Sequence, residues 1–166
     1  EAVDGTAWGL VDAFIVADSD GRRRFRSALL RDAAYEGLPF RRRIELHGRA
    51  ASALERVLEA AWDPEVVAAL SAHCLSAGRH REAWEYSLTA GRQAQQVYAN
   101  TEALRFYGRA LAAARRLPDL DPSEVAELLE AAGDVHARLA ELEPAMAAYR
   151  EARRRAPKSE RLLRAQ

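Results

Sequence analysis

The 166-residue chain contains little cysteine, almost no lysine and few aromatic residues, and each shortage excludes something. Cys74 is the single cysteine, so an internal disulfide is excluded and a reducing cytoplasm is the expected location. Lys158 is the single lysine and lies in no phosphate-binding G-x-x-x-x-G-K-[ST] motif. Aromatic residues make up 7% of the chain, so alanine and leucine supply most of its apolar surface. This composition favours helix-on-helix packing over a sheet.

The charge balance limits the expected partners. The 25 basic residues equal the 25 acidic ones, which argues against nucleic acid as the partner of the whole chain. No apolar run approaches the roughly 18 residues that a membrane-spanning helix needs, so no membrane partner is expected. The chain opens on Glu1 and ends at Gln166 inside a helical pattern, and we therefore expect a fragment of a larger protein.

Capping residues and prolines divide most of the chain into helices. Asp63-Pro64 and Asp121-Pro122 each place a capping acid before a first-turn proline, and Gly78 suits a left-handed helix end. We predict helices over about 27–37, 40–62, 64–77, 80–98, 100–117, 122–140 and 143–156, with the first turns of another after Pro157. Before them, the apolar run Ala13–Val16 and the basic run Arg22–Arg26 flank an Asp-Gly turn, which predicts a small β-hairpin.

An internal repeat is the most informative pattern. Four residues recur at an offset of 42: Gly91 with Gly133, Ala103 with Ala145, Tyr107 with Tyr149 and Ala110 with Ala152. Small residues let two antiparallel helices approach closely, and a ring between them fills the gap to the next hairpin. An ordinary helix bundle with alanine-rich seams is the alternative interpretation.

The repeat resembles the tetratricopeptide repeat. In the second copy the match also includes Leu129 and the terminal Pro157. In the first copy Pro118 falls three residues late, and the aromatic position of the first helix holds Ala94 in one copy and His136 in the other. The resemblance implies a superhelix of antiparallel helical hairpins, about three in number.

Residues 22–55 carry a second resemblance. They are similar to the junction at which a winged helix passes into helical repeats in bacterial STAND-type ATPases, in class III adenylate and guanylate cyclases, and in LuxR-type regulators. The residues that match are Phe25, Leu29, Leu30, Arg31, Asp32, Tyr35, Leu38, Arg43 and His47. Ser27 stands where these families usually have histidine. The resemblance implies that residues 1–38 are the end of a winged helix and that residues 39–166 form the repeat array.

The tetratricopeptide resemblance also implies a partner-binding groove lined by the first helix of each hairpin. The positions that match are Glu85, Leu88, Arg92, Gln95 and Gln96 in one repeat, and Glu127, Glu130, Asp134 and Arg138 in the other. Such a groove is basic and polar at one end and acidic at the other, which suits a peptide or another protein domain. A solvated acidic face is the alternative for Glu127, Glu130 and Asp134.

No catalytic, cofactor or metal site is predicted. The histidines and Cys74 lack metal-ligand spacing, and the nine glycines are scattered rather than gathered into a phosphate cradle. The sequence therefore predicts a cytoplasmic, non-enzymatic, all-α module for protein–protein interaction or regulation, with no cofactor and no small-molecule substrate, inside a bacterial signalling protein. The alternative is a fragment of a DNA-binding regulator that uses the basic runs Arg22–Arg24 and Arg41–Arg43.

Overall fold

The computed structural model describes residues 13–17 and 23–156, most of which lie in helices. The elements in chain order are β1 (Ile15–Ala17), β2 (Arg23–Phe25), α1 (Ala28–Glu36), α2 (Phe40–Ala60), α3 (Pro64–Ser76), α4 (His80–Gln96), α5 (Asn100–Ala114), α6 (Pro122–Arg138) and α7 (Leu142–Arg155). The prediction of a mainly helical chain is confirmed. The helix predicted after Pro157 lies outside the described residues. The chain divides into two compact units, residues 1–43 and 44–166.

The first unit contains the predicted hairpin. Strands β1 and β2 pair antiparallel, with Ile15 opposite Phe25. The predicted Asp-Gly turn and Arg22 lie outside the described residues. Helix α1 begins after Ser27, whose hydroxyl accepts a hydrogen bond from the Leu30 amide at 3.2 Å. The predicted N-cap is therefore confirmed.

In the second unit, two capping aspartates begin helices where the sequence predicts them. The Asp63 carboxylate accepts a hydrogen bond from the Glu65 amide at 2.8 Å at the start of α3. The Asp121 carboxylate accepts one from the Ser123 amide at 2.9 Å at the start of α6. Each bond satisfies an amide that the helix itself leaves without a partner.

Three turns of this unit share one backbone conformation. Gly78, Tyr98 and Ala140 follow α3, α4 and α6 with φ values of 74°, 58° and 59°. The amide after each of them donates to a carbonyl in the last turn of the helix, at 2.9 Å in all three cases. This hydrogen-bond pattern commonly closes helix C-termini. Because a positive φ turns the chain out of the helix, α4 and α6 end before the predicted residues 98 and 140.

The hairpin of α4 and α5 recurs as the hairpin of α6 and α7. Helices α4 and α6 each have 17 residues and begin 42 residues apart, and the left-handed residues Tyr98 and Ala140 have the same offset. Short connections after α4 and α6 bring consecutive helices back antiparallel. The 42-residue offset between four residue pairs of the sequence thus also relates the starts of the helices and the positions of the left-handed turns.

Each repeated hairpin is closed by a glycine facing a tyrosine ring. A Cβ atom added at Gly91 would lie 2.4 Å from Cε1 of Tyr107, and one added at Gly133 would lie 2.6 Å from Cε1 of Tyr149. Both distances are shorter than carbon atoms tolerate, so a larger residue at either glycine forces the ring to move. The close approach predicted for these residues is present in both hairpins.

The core of the second unit lies between neighbouring helices. Val67 and Leu70 of α3, Trp84 of α4, Tyr107 of α5 and Val135 of α6 are all buried. Burial of such apolar side chains is the main stabilising contribution in this kind of array.

Helix α2 joins the core through Ala51, which is fully buried, and through an ion pair with the turn before α4. The Arg79 guanidinium donates to both carboxylate oxygens of Glu55, at 2.6 and 3.0 Å, and its Nε donates to Glu82 at 2.9 Å. A two-pronged arginine–carboxylate contact fixes orientation as well as distance.

Candidate partner-binding groove

The first helices of the two repeated hairpins, α4 and α6, line a small cleft together with Tyr107 of α5. Its volume is about 140 Å³, and the residues that line it are Leu88, Arg92, Gln95, Tyr107, Glu124, Glu127, Leu128 and Ala131. We call this set the α4–α6 cleft. Arg92 and Glu127 are exposed, whereas Tyr107 and Leu128 are buried and form its apolar base.

The structure brings four of the predicted groove residues together in this cleft: Leu88, Arg92, Gln95 and Glu127. Asp134 and Arg138, also predicted, lie outside its lining and are exposed. Glu85 is exposed and Glu130 half-buried, and neither lines the cleft.

Of the five predicted residues outside the cleft lining, Gln96 lines a different cavity. It lines a larger cavity formed by α3, α4 and α5, while its neighbour Gln95 lines the α4–α6 cleft. Successive residues of an α-helix point about 100° apart, which explains the separation. Four of the nine predicted residues therefore line one cleft, and the other five do not.

Tyr107 is the central side chain of the cleft. Its hydroxyl donates a hydrogen bond to the Gln95 side-chain carbonyl. Burial raises the pKa of Tyr107, with the Asp134 carboxylate adding to the rise and the guanidiniums of Arg92 and Arg138 opposing it. The hydroxyl is therefore a neutral hydrogen-bonding group at the base of a charged cleft.

The second tyrosine makes a charged contact instead. The Tyr149 hydroxyl donates to the Asp134 carboxylate at 2.7 Å. This hydrogen bond raises the pKa of Tyr149, because the phenol is held in its protonated, donating form. The side chain of Tyr149 is 38% exposed.

Sequence reasoning missed four residues of the cleft: Tyr107, Glu124, Leu128 and Ala131. Tyr107 was identified as a repeat residue but not as a groove residue. Glu124 and Ala131 lie three and four residues from Glu127, and Leu128 lies four residues after Glu124, spacings that bring helix side chains together. That spacing is visible in the sequence, so the helix face that contains Glu127 is the signal that could have identified these residues.

Outside the cleft, two histidines meet between α2 and α3. Nδ1 of His47 lies 2.9 Å from Nδ1 of His73, and their ring centroids are 5.0 Å apart. Burial lowers the pKa of both imidazoles, and for His73 the charge of His47 adds to the effect. One Nδ1 must donate and the other accept, so the accepting imidazole is neutral.

The buried Cys74 thiol is held away from thiolate chemistry. Burial raises its pKa to about 11, while the nearby Arg79 guanidinium opposes the rise. A nucleophilic cysteine requires the opposite shift.

In residues 13–17 and 23–156, no group of three or more histidine, cysteine or acidic side chains is placed to hold a metal ion. Among the same residues, no helix has both the length and the apolar character needed to cross a membrane. No protein-family model matches the chain, and no curated protein or solved structure matches it.

Proposed function

We propose that the chain is a non-catalytic interaction module, a tetratricopeptide-like array that binds a protein or peptide partner in the α4–α6 cleft. The observation that carries the proposal is the 42-residue recurrence of helix, left-handed turn and glycine–tyrosine contact. With the hairpin repeated in this way, residues of α4, α5 and α6 line one cleft, and a stack of such hairpins presents a continuous surface to a ligand.

The lining of the cleft suits a polar segment of a protein partner. It combines an exposed arginine, two exposed glutamates and a half-buried glutamine around an apolar base. Opposite charges on one surface orient a partner and reject wrongly charged ones more than they add affinity. The volume of about 140 Å³ suits one or two side chains of a longer segment rather than a whole small molecule, whose pockets span about 300–1,000 Å³.

In this proposal the module belongs to a bacterial, cytoplasmic signalling protein of the STAND ATPase, cyclase or transcriptional-regulator type. Its first 38 residues close a winged helix, and the array reports the presence of a partner to a nucleotide-using domain elsewhere in the parent. The two resemblances in the sequence support this placement. The hairpin of β1 and β2 followed by α1 is compatible with a wing and the helix after it.

Photo-crosslinking tests the cleft in the cells that produce the parent protein. A photoreactive amino acid placed at Arg92, inside the cleft, is expected to give a discrete crosslinked partner. The same amino acid at Arg153, an exposed α7 residue outside the cleft, is the matched control. Adding Glu124→Lys and Glu127→Lys is expected to abolish the Arg92 adduct. Identical adducts from both positions, or an Arg92 adduct that survives the charge reversals, contradict the proposal.

A further inference from the structure

A second and larger cavity lies where α3, α4 and α5 meet. The N-terminal parts of α3 and α5 and the C-terminal part of α4 line an open cavity of about 690 Å³. Its apolar lining includes Ala68, Ala90, Ala94 and Phe106. We call it the α3–α5 cavity. Its size lies within the range of about 300–1,000 Å³ that is typical of ligand-binding pockets.

The cavity opens beside exposed apolar side chains. Val97, which lines it, is 73% exposed, and the adjacent Tyr98 is 76% exposed. Tyr98 also holds the left-handed conformation, where glycine is favoured. A partner that covers these side chains and the cavity gains from removing a continuous apolar surface from water.

The charged residues that line the cavity are both acidic. Glu65 of α3 and Glu102 of α5 lie at its edges, and neither carboxylate forms an ion pair within the part of the chain that the structure describes. The other polar residues of the lining are Gln93 and Gln96. A ligand that fills this cavity therefore meets an apolar floor and carboxylates without partners.

Two arginines near Phe106 make contacts outside the cavity. The guanidiniums of Arg105 and Arg109 each lie 5.3 Å from the centroid of the Phe106 ring. Arg109 also donates to the Ser71 hydroxyl at 2.7 Å. Neither arginine lines the cavity, so the charge facing an occupant is that of Glu65 and Glu102.

We infer that the α3–α5 cavity is a docking site for a protein segment in which adjacent aliphatic residues are flanked by arginine or lysine. The aliphatic side chains enter the cavity and cover Val97, and the flanking cations pair with Glu65 and Glu102. Complementary charges around an apolar centre are the usual layout of a protein-binding surface. This site shares no residue with the α4–α6 cleft and does not depend on the proposed function.

Fluorescence anisotropy with a defined probe tests the inference on the full chain. The probe is a fluorescein-labelled peptide, Gly-Ser-Arg-Leu-Leu-Arg-Gly-Ser, and its control carries glutamate in place of both arginines. We expect saturable binding of the probe below about 1 mM, weakened by salt, and no saturable binding of the control. No saturation by the probe, or equal binding of both peptides, overturns the inference.

Matched variants locate the binding. Glu65→Lys with Glu102→Lys is expected to weaken binding about tenfold, and Val97→Ser about threefold, because one removes ion pairs and the other apolar contact. Acidic residues in the first turn also stabilise a helix, so Glu143→Lys in the first turn of α7 is the control and is expected to bind normally. All four residues are on the surface, and circular dichroism checks that the variants fold.

The outcomes separate this site from the cleft. Glu124→Lys with Glu127→Lys is expected to leave probe binding unchanged, and loss of binding there relocates the probe to the cleft and overturns the inference. Unchanged affinity in the cavity variants overturns it directly.

Discussion

The two repeated hairpins contain the same glycine–tyrosine contact in different surroundings. In the hairpin of α4 and α5, Tyr107 is 1% exposed, because α6 packs beside it and the cleft residues cover it. In the hairpin of α6 and α7, Tyr149 is 38% exposed, and no helix follows α7 within the described residues. The glycine–tyrosine contact therefore forms within each hairpin, whereas burial of the tyrosine depends on packing by the next helix in the chain.

The surface chemistry of the hairpins also differs at equivalent positions. Arg92 of α4 corresponds to Asp134 of α6, so the same place on the helix carries opposite charges. Ser87 corresponds to Leu129, and both are buried. Equivalent positions of the two hairpins therefore differ both in surface charge and in the polarity of a buried residue.

The largest expected difference between the hairpins comes from truncating the tyrosines. Tyr107→Ala is expected to lower the free energy of unfolding by about 3–5 kcal/mol, because it empties a fully buried site. Tyr149→Ala removes a partly exposed ring and is expected to cost about 1–2 kcal/mol. Urea unfolding followed by circular dichroism measures both. Equal losses of unfolding free energy show that Tyr149 is as buried as Tyr107 and contradict the difference between the two hairpins.

The glycines give a smaller effect of the same kind. Gly91→Ala is expected to destabilise by about 1–3 kcal/mol, since the new methyl group collides with the buried Tyr107 ring. Gly133→Ala is expected to stay within about 1 kcal/mol of the parent, because the half-exposed Tyr149 ring can rotate away and alanine favours the helix. The same unfolding experiment decides. A larger loss of stability for Gly133→Ala than for Gly91→Ala contradicts the expectation from the burial of Tyr107 and the exposure of Tyr149.

The equivalent buried positions Ser87 and Leu129 extend the comparison of the two hairpins to the core. The Ser87 hydroxyl is buried without a hydrogen-bond partner in the described structure, so Ser87→Ala is expected to stabilise by about 1 kcal/mol. Ser71 is the matched control, because its buried hydroxyl donates to the Ala68 carbonyl and accepts from Arg109, both at 2.7 Å. Ser71→Ala is expected to destabilise by about 1–2 kcal/mol. Destabilisation by Ser87→Ala shows that the hydroxyl has a partner.

The smallest expected effect lies outside both hairpins, at His47 and His73. The folded-state pKa of each imidazole is lowered below 6.5 by burial, so the unfolded chain binds more protons at mildly acidic pH. Stability is therefore expected to be constant above about pH 7 and to fall as the pH drops below 6.5 toward the lowered values. His73→Gln is expected to flatten this part of the profile without altering the difference between Tyr107→Ala and Tyr149→Ala. An unchanged dependence of stability on pH in His73→Gln shows that groups other than His73 cause it.

Much of the fold could be predicted because its signals are local. Asp63, Gly78 and Asp121 fix helix ends through their own backbone contacts, and the 42-residue offset is visible in a few residues. The true ends of α4 and α6 could not be predicted in this way. Tyr98 and Ala140 adopt a left-handed conformation that neither residue type favours, so the sequence carries no marker for it.

The candidate site was predictable only in part, since side-chain direction depends on small rotations. Gln95 and Gln96 are adjacent in sequence but line different cavities. The meeting of His47 with His73 depends on how α2 packs against α3, which no local pattern encodes. Alanine is the commonest residue type in the lining of the α3–α5 cavity, and the spacing of these alanines indicates a core and gives no sign of an opening.

The central claim is that the α4–α6 cleft binds a protein partner. Calorimetric titration of the partner segment identified by crosslinking tests it most directly, with the parent chain, Glu124→Lys with Glu127→Lys, and Glu143→Lys as the control. The account predicts that the cleft variant loses about tenfold or more in affinity while the control binds like the parent. Equal affinity for all three chains, with each variant folded, contradicts the claim.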